Sequence, residues 1–189
     1  MCIRDRLKPS HGKILIDGRD HTFDLNQANW HKKIGYVAQN VTLIDDTIKN
    51  NIALGTIEKE IDNEQIETVI KKANLVEFIT NLPDGIETMV GEKGIKLSGG
   101  QRQSIALARA IVHKPSHFIL DEPTSAMDMN AENIFISQMG SIMQDSTMLI
   151  VTHRMPLLNL VDRIIVMNEG QIVEDGPKEE IINKLNQPR

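Results

Sequence analysis

Three short apolar runs, 34–38 (IGYVA), 118–121 (FILD) and 148–152 (MLIVT), are separated by stretches in which apolar residues recur at helical spacing. That alternation constrains the chain more than any other feature: it predicts an α/β domain built on a mainly parallel central sheet. Residues 13–17 (KILID), ending at Gly18, read as a further strand. A hairpin is expected from 164–167 to 172–174 through Asn168, Glu169 and Gly170. Between positions 45 and 81 the pattern is helical: Ile66, Val69, Ile70 and Ala73 fall at i, i+3, i+4 and i+7, and residues 83–85 break it. A helix from near Gly100 to His113 presents Ile105, Ala108 and Val112 on one face and stops at Pro115, and another is expected around 131–143. The block from about 45 to 112 is long for a crossover and reads as an inserted helical subdomain.

Composition narrows the function classes. The 189 residues carry a net charge of −5 with no basic stripe, which argues against a nucleic-acid binder. Aromatics are only 3%, so aliphatic side chains must fill the core. Apolar runs such as 148–151 and 164–167 are far shorter than the roughly 20 residues a membrane helix needs, so a membrane role requires a partner that spans it. The single cysteine, Cys2, permits no internal disulfide, which suits a reducing cytoplasm.

Five groups of residues carry candidate chemistry. Leu97, Ser98, Gly99, Gly100 and Gln101 (LSGGQ) combine glycines that admit a ligand to the backbone with a hydroxyl and the start of a helix, an anion site suited to a terminal phosphate. The same five residues also fit a plain loop with a helix N-cap. The apolar run ending in Asp121 and Glu122 delivers two carboxylates at a strand's C-terminal end, where open α/β sheets bind ligands. Asp121 could help place Mg²⁺ and Glu122 could polarise a water, or both could sit on a solvated turn. Gln39 follows a strand and can reach a metal-bound water or a phosphate through its amide. His153 ends a strand in position to bond a phosphate oxygen, although single histidines there are more often structural. Asp128, in SAMD at 125–128, could act at the site or only cap the next helix.

Taken in order, Gln39, LSGGQ at 97–101, ILDE at 119–122, SAMD at 125–128 and His153 resemble the Q-loop, signature motif, Walker B strand with its catalytic Glu, D-loop and switch His of the ABC-type ATPases. The likeness runs from about Leu7 to the C-terminus. Residues 88–94 (TMVGEKG) and 51–55 (NIALG) are exporter-like, and 98–110 with SAMD is most similar to type I secretion exporters. The resemblance implies a P-loop NTPase-like three-layer fold with a helical subdomain at about 45–112. It implies ATP and Mg²⁺ as cofactors, with Glu122 and His153 catalytic and Gln39, Leu97, Ser98, Gly99, Gly100, Gln101, Asp121 and Asp128 at the nucleotide. Gln39 and Asp121 would also help hold the metal. The implied partners are a second nucleotide-binding domain, in a homodimer whose signature motif serves the other subunit's ATP, and the exporter's transmembrane domain, fused upstream. Nucleic acid is not among them. The implied location is the cytoplasmic face of a bacterial inner membrane. A non-catalytic regulatory module of this fold, or a soluble ABC ATPase that transports nothing, are the alternatives.

One element of that family is missing. No G-x-x-x-x-G-K-[ST] occurs in the sequence, and the only Gly-Lys pair, Gly12-Lys13, continues with Ile14. The expectation is therefore a partial domain, 7–189, whose first strands and P-loop are absent and whose residues 1–6 (MCIRDR) are a non-native start.

Overall fold

The computed structural model describes residues 9–20, 30–56, 61–94, 96–142 and 146–186. Residues 1–6 therefore lie outside the described residues, as does the last residue of the helix expected to reach Met143. The fold is α/β, as the alternation predicts. Strands β3 (Ile34–Val37), β4 (His117–Asp121) and β5 (Thr147–Val151) form a parallel sheet in the order β3-β4-β5. Two antiparallel pairs accompany it: β1 (Leu15–Ile16) with β2 (Arg19–Asp20), and β6 (Arg163–Asn168) with β7 (Gln171–Pro177). The strand expected over 13–17 is cut short because Asp17 and Gly18 both take positive φ, 51° and 76°, and turn the chain back on itself. In the second pair Asn168 is the last rung, opposite Gln171, so the turn consists of Glu169 and Gly170 alone, both at positive φ. A two-residue turn of that kind matches the twist of the strands it joins.

The helical stretch comprises several helices. Helix α1 (Ile48–Ile52) is capped by Thr47, whose hydroxyl accepts from the Asn50 amide at 3.1 Å. Helix α2 (Asn63–Lys72) is capped by Asp62, which accepts from the amides of Glu64 and Gln65. It ends where Asn74 adopts φ 53° and the Leu75 amide reaches back to the Ile70 carbonyl, satisfying a carbonyl the helix would otherwise leave open. Helix α3 (Val76–Thr80) follows, then 3₁₀ turns at Gly85–Glu87 and Glu92–Gly94, then the long helix α4 (Gly99–Ile111). Helix α5 (Met129–Ile142) connects β4 to β5, and α6 (Lys178–Leu185) packs on the terminal hairpin.

One apolar cluster joins the helices to the sheet, with Ile48, Ile52, Ile105, Leu107 and Leu120 fully enclosed. A polar knot sits beside it. From α4, Arg109 donates through Nε to the Asn51 carbonyl (2.7 Å), through Nη2 to Asn51 Oδ1 (3.0 Å) and through Nη1 to the Thr42 carbonyl (3.0 Å). Burial lowers the pKa of this guanidinium from its ordinary value. Asn51 is itself buried and bonds the Ile44 and Thr47 carbonyls and the Ile44 amide, so hydrogen bonds join α1, the loop after β3 and α4.

Alternation along the strands sends Gly35, Val37, Phe118 and Leu120 to the covered face of the sheet. On the other face Ile119 is buried, but Leu149 and Val151 are 41% and 48% exposed among the described residues. Helix α4 lies so close to β3 that a Cβ on Gly35 would stand 2.6 Å from the Ala110 carbonyl oxygen and 2.8 Å from the Phe118 ring. Gly35→Ala should therefore lower unfolding stability by about 1–3 kcal/mol, the usual cost of overpacking. Denaturant unfolding checks this, and an unchanged midpoint would mean that α4 lifts off the sheet without cost.

Candidate functional site

The first cluster lies along the C-terminal edge of the parallel sheet. Strand β4 ends at Asp121, paired with Val151, and the Glu122 amide extends the ladder by donating to the Val151 carbonyl at 2.9 Å. At that point Glu122 turns to φ 45°, a left-handed conformation that costs a non-glycine residue about 1–3 kcal/mol and concentrates at functional positions. The turn aims the side chain at the segment leaving β5. Glu122 Oε1 accepts from the His153 backbone amide at 3.1 Å and lies 2.7 Å from His153 Nδ1, while Oε2 is 3.4 Å from the Thr152 hydroxyl.

An ionised carboxylate only accepts, so the ring nitrogen facing it carries the proton. Contact from His153 to an anion then requires Nε2 to be protonated as well, or the ring to turn. The ring is free to turn, being 79% exposed, whereas the Glu122 side chain is only 14% exposed. Asp121 is half-buried beside them, and Gln39 is exposed two residues past the end of β3 on the same edge. Gln39, Asp121, Glu122 and His153 thus lie along the ends of three adjacent parallel strands.

The second cluster is at the start of α4. Ser98 and Gln101 form a reciprocal capping box: Ser98 Oγ accepts from the Gln101 amide at 3.1 Å, and Gln101 Oε1 accepts from the Ser98 amide at 2.8 Å. The plain N-cap role is therefore real. It leaves the Ser98 hydroxyl proton to donate elsewhere. Ser98, Gly99, Gly100 and Gln101 line a cavity of about 310 Å³ together with Ala126 and Asp128. The two glycines differ in what surrounds them. A Cβ on Gly99 would stand 2.7 Å from the Ala126 carbonyl oxygen, whereas one on Gly100 would meet nothing within 4 Å. Gly99 is required by packing; Gly100 keeps the approach to the helix end open.

Leu97 does not line this cavity. Its side chain packs on the core and its carbonyl accepts from Arg102 Nη1 at 2.6 Å. Asp128 accepts from the Ala131 amide at 2.9 Å and so caps α5, the plain role weighed for it.

Sequence reasoning passed over Thr124 and Glu132, both buried, and the half-buried Arg154, which bond one another between the turns after β4 and β5. Thr124 Oγ1 donates to Glu132 Oε1 at 2.7 Å, Arg154 Nε lies 3.1 Å from the same oxygen, and Arg154 Nη1 donates to the Thr124 carbonyl at 2.6 Å. The available signal was a carboxylate on an apolar stripe: Glu132, Phe135 and Met139 fall at i, i+3 and i+7, and all three are buried.

No group of three or more His, Cys, Asp or Glu side chains among the described residues could hold a metal ion by itself. A lone carboxylate and a lone amide, Asp121 and Gln39, fit Mg²⁺, which takes few protein ligands and completes its shell with water and phosphate oxygens.

A parallel α/β sheet whose strand ends bring carboxylates and an amide to one edge defines a protein that handles its ligand at the carboxyl side of the sheet. The ABC transporter family model matches residues 1–125, and the chain belongs to that family. It is 39% identical over 94% of its length to an ATP-dependent lipid A-core flippase of Ralstonia nicotianae. It is 42% identical over 94% of its length to the leukotoxin translocation ATP-binding protein LktB of Mannheimia glucosida. Among solved structures, a bacterial Atm1-family ABC exporter with ATP bound superposes over 93% of this chain with a TM-score of 0.86 and 34% identity. The chain spans 30%, 25% and 30% of those three proteins, respectively.

Proposed function

We propose that this chain is the ATP-hydrolysing part of a longer exporter, acting at the cytoplasmic face of a membrane. The observation that carries the reading is the Glu122–His153 contact at 2.7 Å on the sheet's carboxyl edge, with Asp121 and Gln39 on the same edge. Glu122 would accept the proton of an attacking water, or orient it, while His153 steadies the carboxylate and turns to meet the terminal phosphate. Mg²⁺, held by Asp121 and Gln39, would supply charge neutralisation to the phosphates. Ser98, Gly99 and Gly100 would bind the terminal phosphate of a nucleotide held mainly by a second copy of the domain, with Asp128 beside it.

Support for a membrane-spanning partner comes from the relatives' lengths and from a groove. A cavity of about 810 Å³ beside β3 is lined by Tyr36, Leu54, Ala106, Arg109 and His113, with Leu54 40% exposed at its rim. No helix of the described residues is long and apolar enough to cross a membrane, and on this reading a spanning segment of the longer protein would seat in this groove. One relative is named a lipid A-core flippase and the other a leukotoxin translocation protein, and with the second we read this chain as part of a type I protein secretion exporter. The test is hydrolysis by the intact protein reconstituted in lipid vesicles. ATP should be cleaved with Mg²⁺ present and not after chelation by EDTA. Bound but uncleaved ATP under both conditions would sink the enzyme reading in favour of a regulatory module.

A further inference from the structure

Glu132 is a carboxylate buried in the first turn of α5, away from solvent and from any ligand role given above. A lone buried charge is costly, so its partners matter. Through Oε1 it accepts from the Thr124 hydroxyl at 2.7 Å and pairs with Arg154 Nε at 3.1 Å. Thr124 lies two residues after Glu122, and Arg154 is the residue after His153. Arg154 closes the ring by donating through Nη1 to the Thr124 carbonyl at 2.6 Å. Its backbone amide donates to Thr152 Oγ1 at 3.0 Å, the same hydroxyl that faces Glu122 Oε2.

One buried carboxylate therefore ties together both segments that carry the hydrolytic pair. The Glu122 segment is strained at φ 45°, and the His153 ring is exposed, so neither holds its geometry by packing alone. We propose that Glu132, acting through Arg154, is a positioning residue: it fixes the turn after β4 against the turn after β5, so that Glu122 and His153 meet. The guanidinium suits the task because it reaches the carboxylate and the carbonyl from two nitrogens held in one plane, where an ammonium has a single nitrogen. Helix α5 adds a second connection. Ala131, the neighbour of Glu132, lines the Ser98–Gln101 cavity, so one helical turn touches both clusters.

The inference rests on Glu122 being the group that activates water, and the test separates the two. Five proteins are made from the intact transporter: Glu122→Gln, Arg154→Lys, the double substitution Glu132→Gln with Arg154→Met, and the last two each in the Glu122→Gln background. The double substitution removes both charges together and so avoids leaving one buried and unpaired.

Hydrogen–deuterium exchange without nucleotide should show faster exchange at the His153 and Arg154 amides in both variants, with α4 unchanged. Turnover should fall by about 10–100-fold, the scale of a misplaced catalytic group, with KM for ATP held. In the Glu122→Gln background neither substitution should add a further loss. Unchanged turnover, a change confined to KM, or an equal loss in the Glu122→Gln background would each overturn the positioning role. If Glu122→Gln alone keeps full turnover, it is the underlying reading of Glu122 that fails. Exchange that rises equally in α4 would mean the ring is merely part of the general stability of the domain, which also overturns the proposal.

Discussion

If the proposed function holds, Glu122→Gln in the intact protein is expected to leave ATP binding in place and to slow hydrolysis by about 10²–10⁴-fold, the range a general base contributes. The structure makes this substitution unusually clean. Glu122 Oε1 takes two contacts from His153 and Oε2 only a long one from Thr152. A glutamine can keep its oxygen toward His153 and turn its amide outward, so the turn at φ 45° survives while the proton acceptor is lost. Single-turnover hydrolysis and nucleotide binding, measured on the same preparation, give the two quantities separately. Turnover near that of the unsubstituted protein would mean another group activates the water.

The second large effect concerns Ser98. Ser98→Arg should abolish ATP-driven association of two domains, because a guanidinium would fill the cavity beside Gly100 that, on the proposed function, the terminal phosphate would enter. Ser98 also caps α4, so the substitution costs the monomer about 0.5–2 kcal/mol of stability. Ser98→Ala is the control, since it removes the cap without blocking the cavity. Mixing Ser98→Arg with a partner that cannot hold its own phosphate leaves one composite site intact, and that mixture should regain activity. Mixed dimers that form and remain inactive would show that the signature segment does not serve a neighbour's nucleotide.

The strands and most helices were legible because aliphatic runs and helical stripes state their own periodicity. The local exceptions have local causes. Asp17 and Asn74 take left-handed conformations, ending β1 and α2 at places where periodicity gives no warning. The capping box of Ser98 and Gln101 could have been read from S-x-x-Q, and its presence means that Ser98 has a structural role whatever else it does. The meeting of Glu122 and His153 was not derivable from spacing. They are 31 positions apart, and only the parallel register of Asp121 on Val151 brings them together. Motif order pointed to the pair by resemblance, without its geometry. Arg154 escaped because, taken singly, it reads as an ordinary surface charge; Glu132 sits on an apolar stripe, but its partner is fixed only once β5 and α5 are packed.

The placement of β3 has a consequence for how the polypeptide is made. Val37 pairs with Leu120, so the central ladder joins residues about eighty positions apart with all of α1 to α4 between them. At a synthesis rate of about 5–20 residues per second, β3 emerges from the ribosome about 4–16 s before its partner exists. During that interval, among the described residues, its apolar side chains can pack on helices α1 to α4. The Arg109–Asn51 knot completes with α4, several residues before β4 appears, and can hold β3 near the place where the strand will be needed. A substitution that loosens the knot would then do its harm in the nascent chain, lowering yield in the cell while leaving the activity of molecules that do mature close to normal.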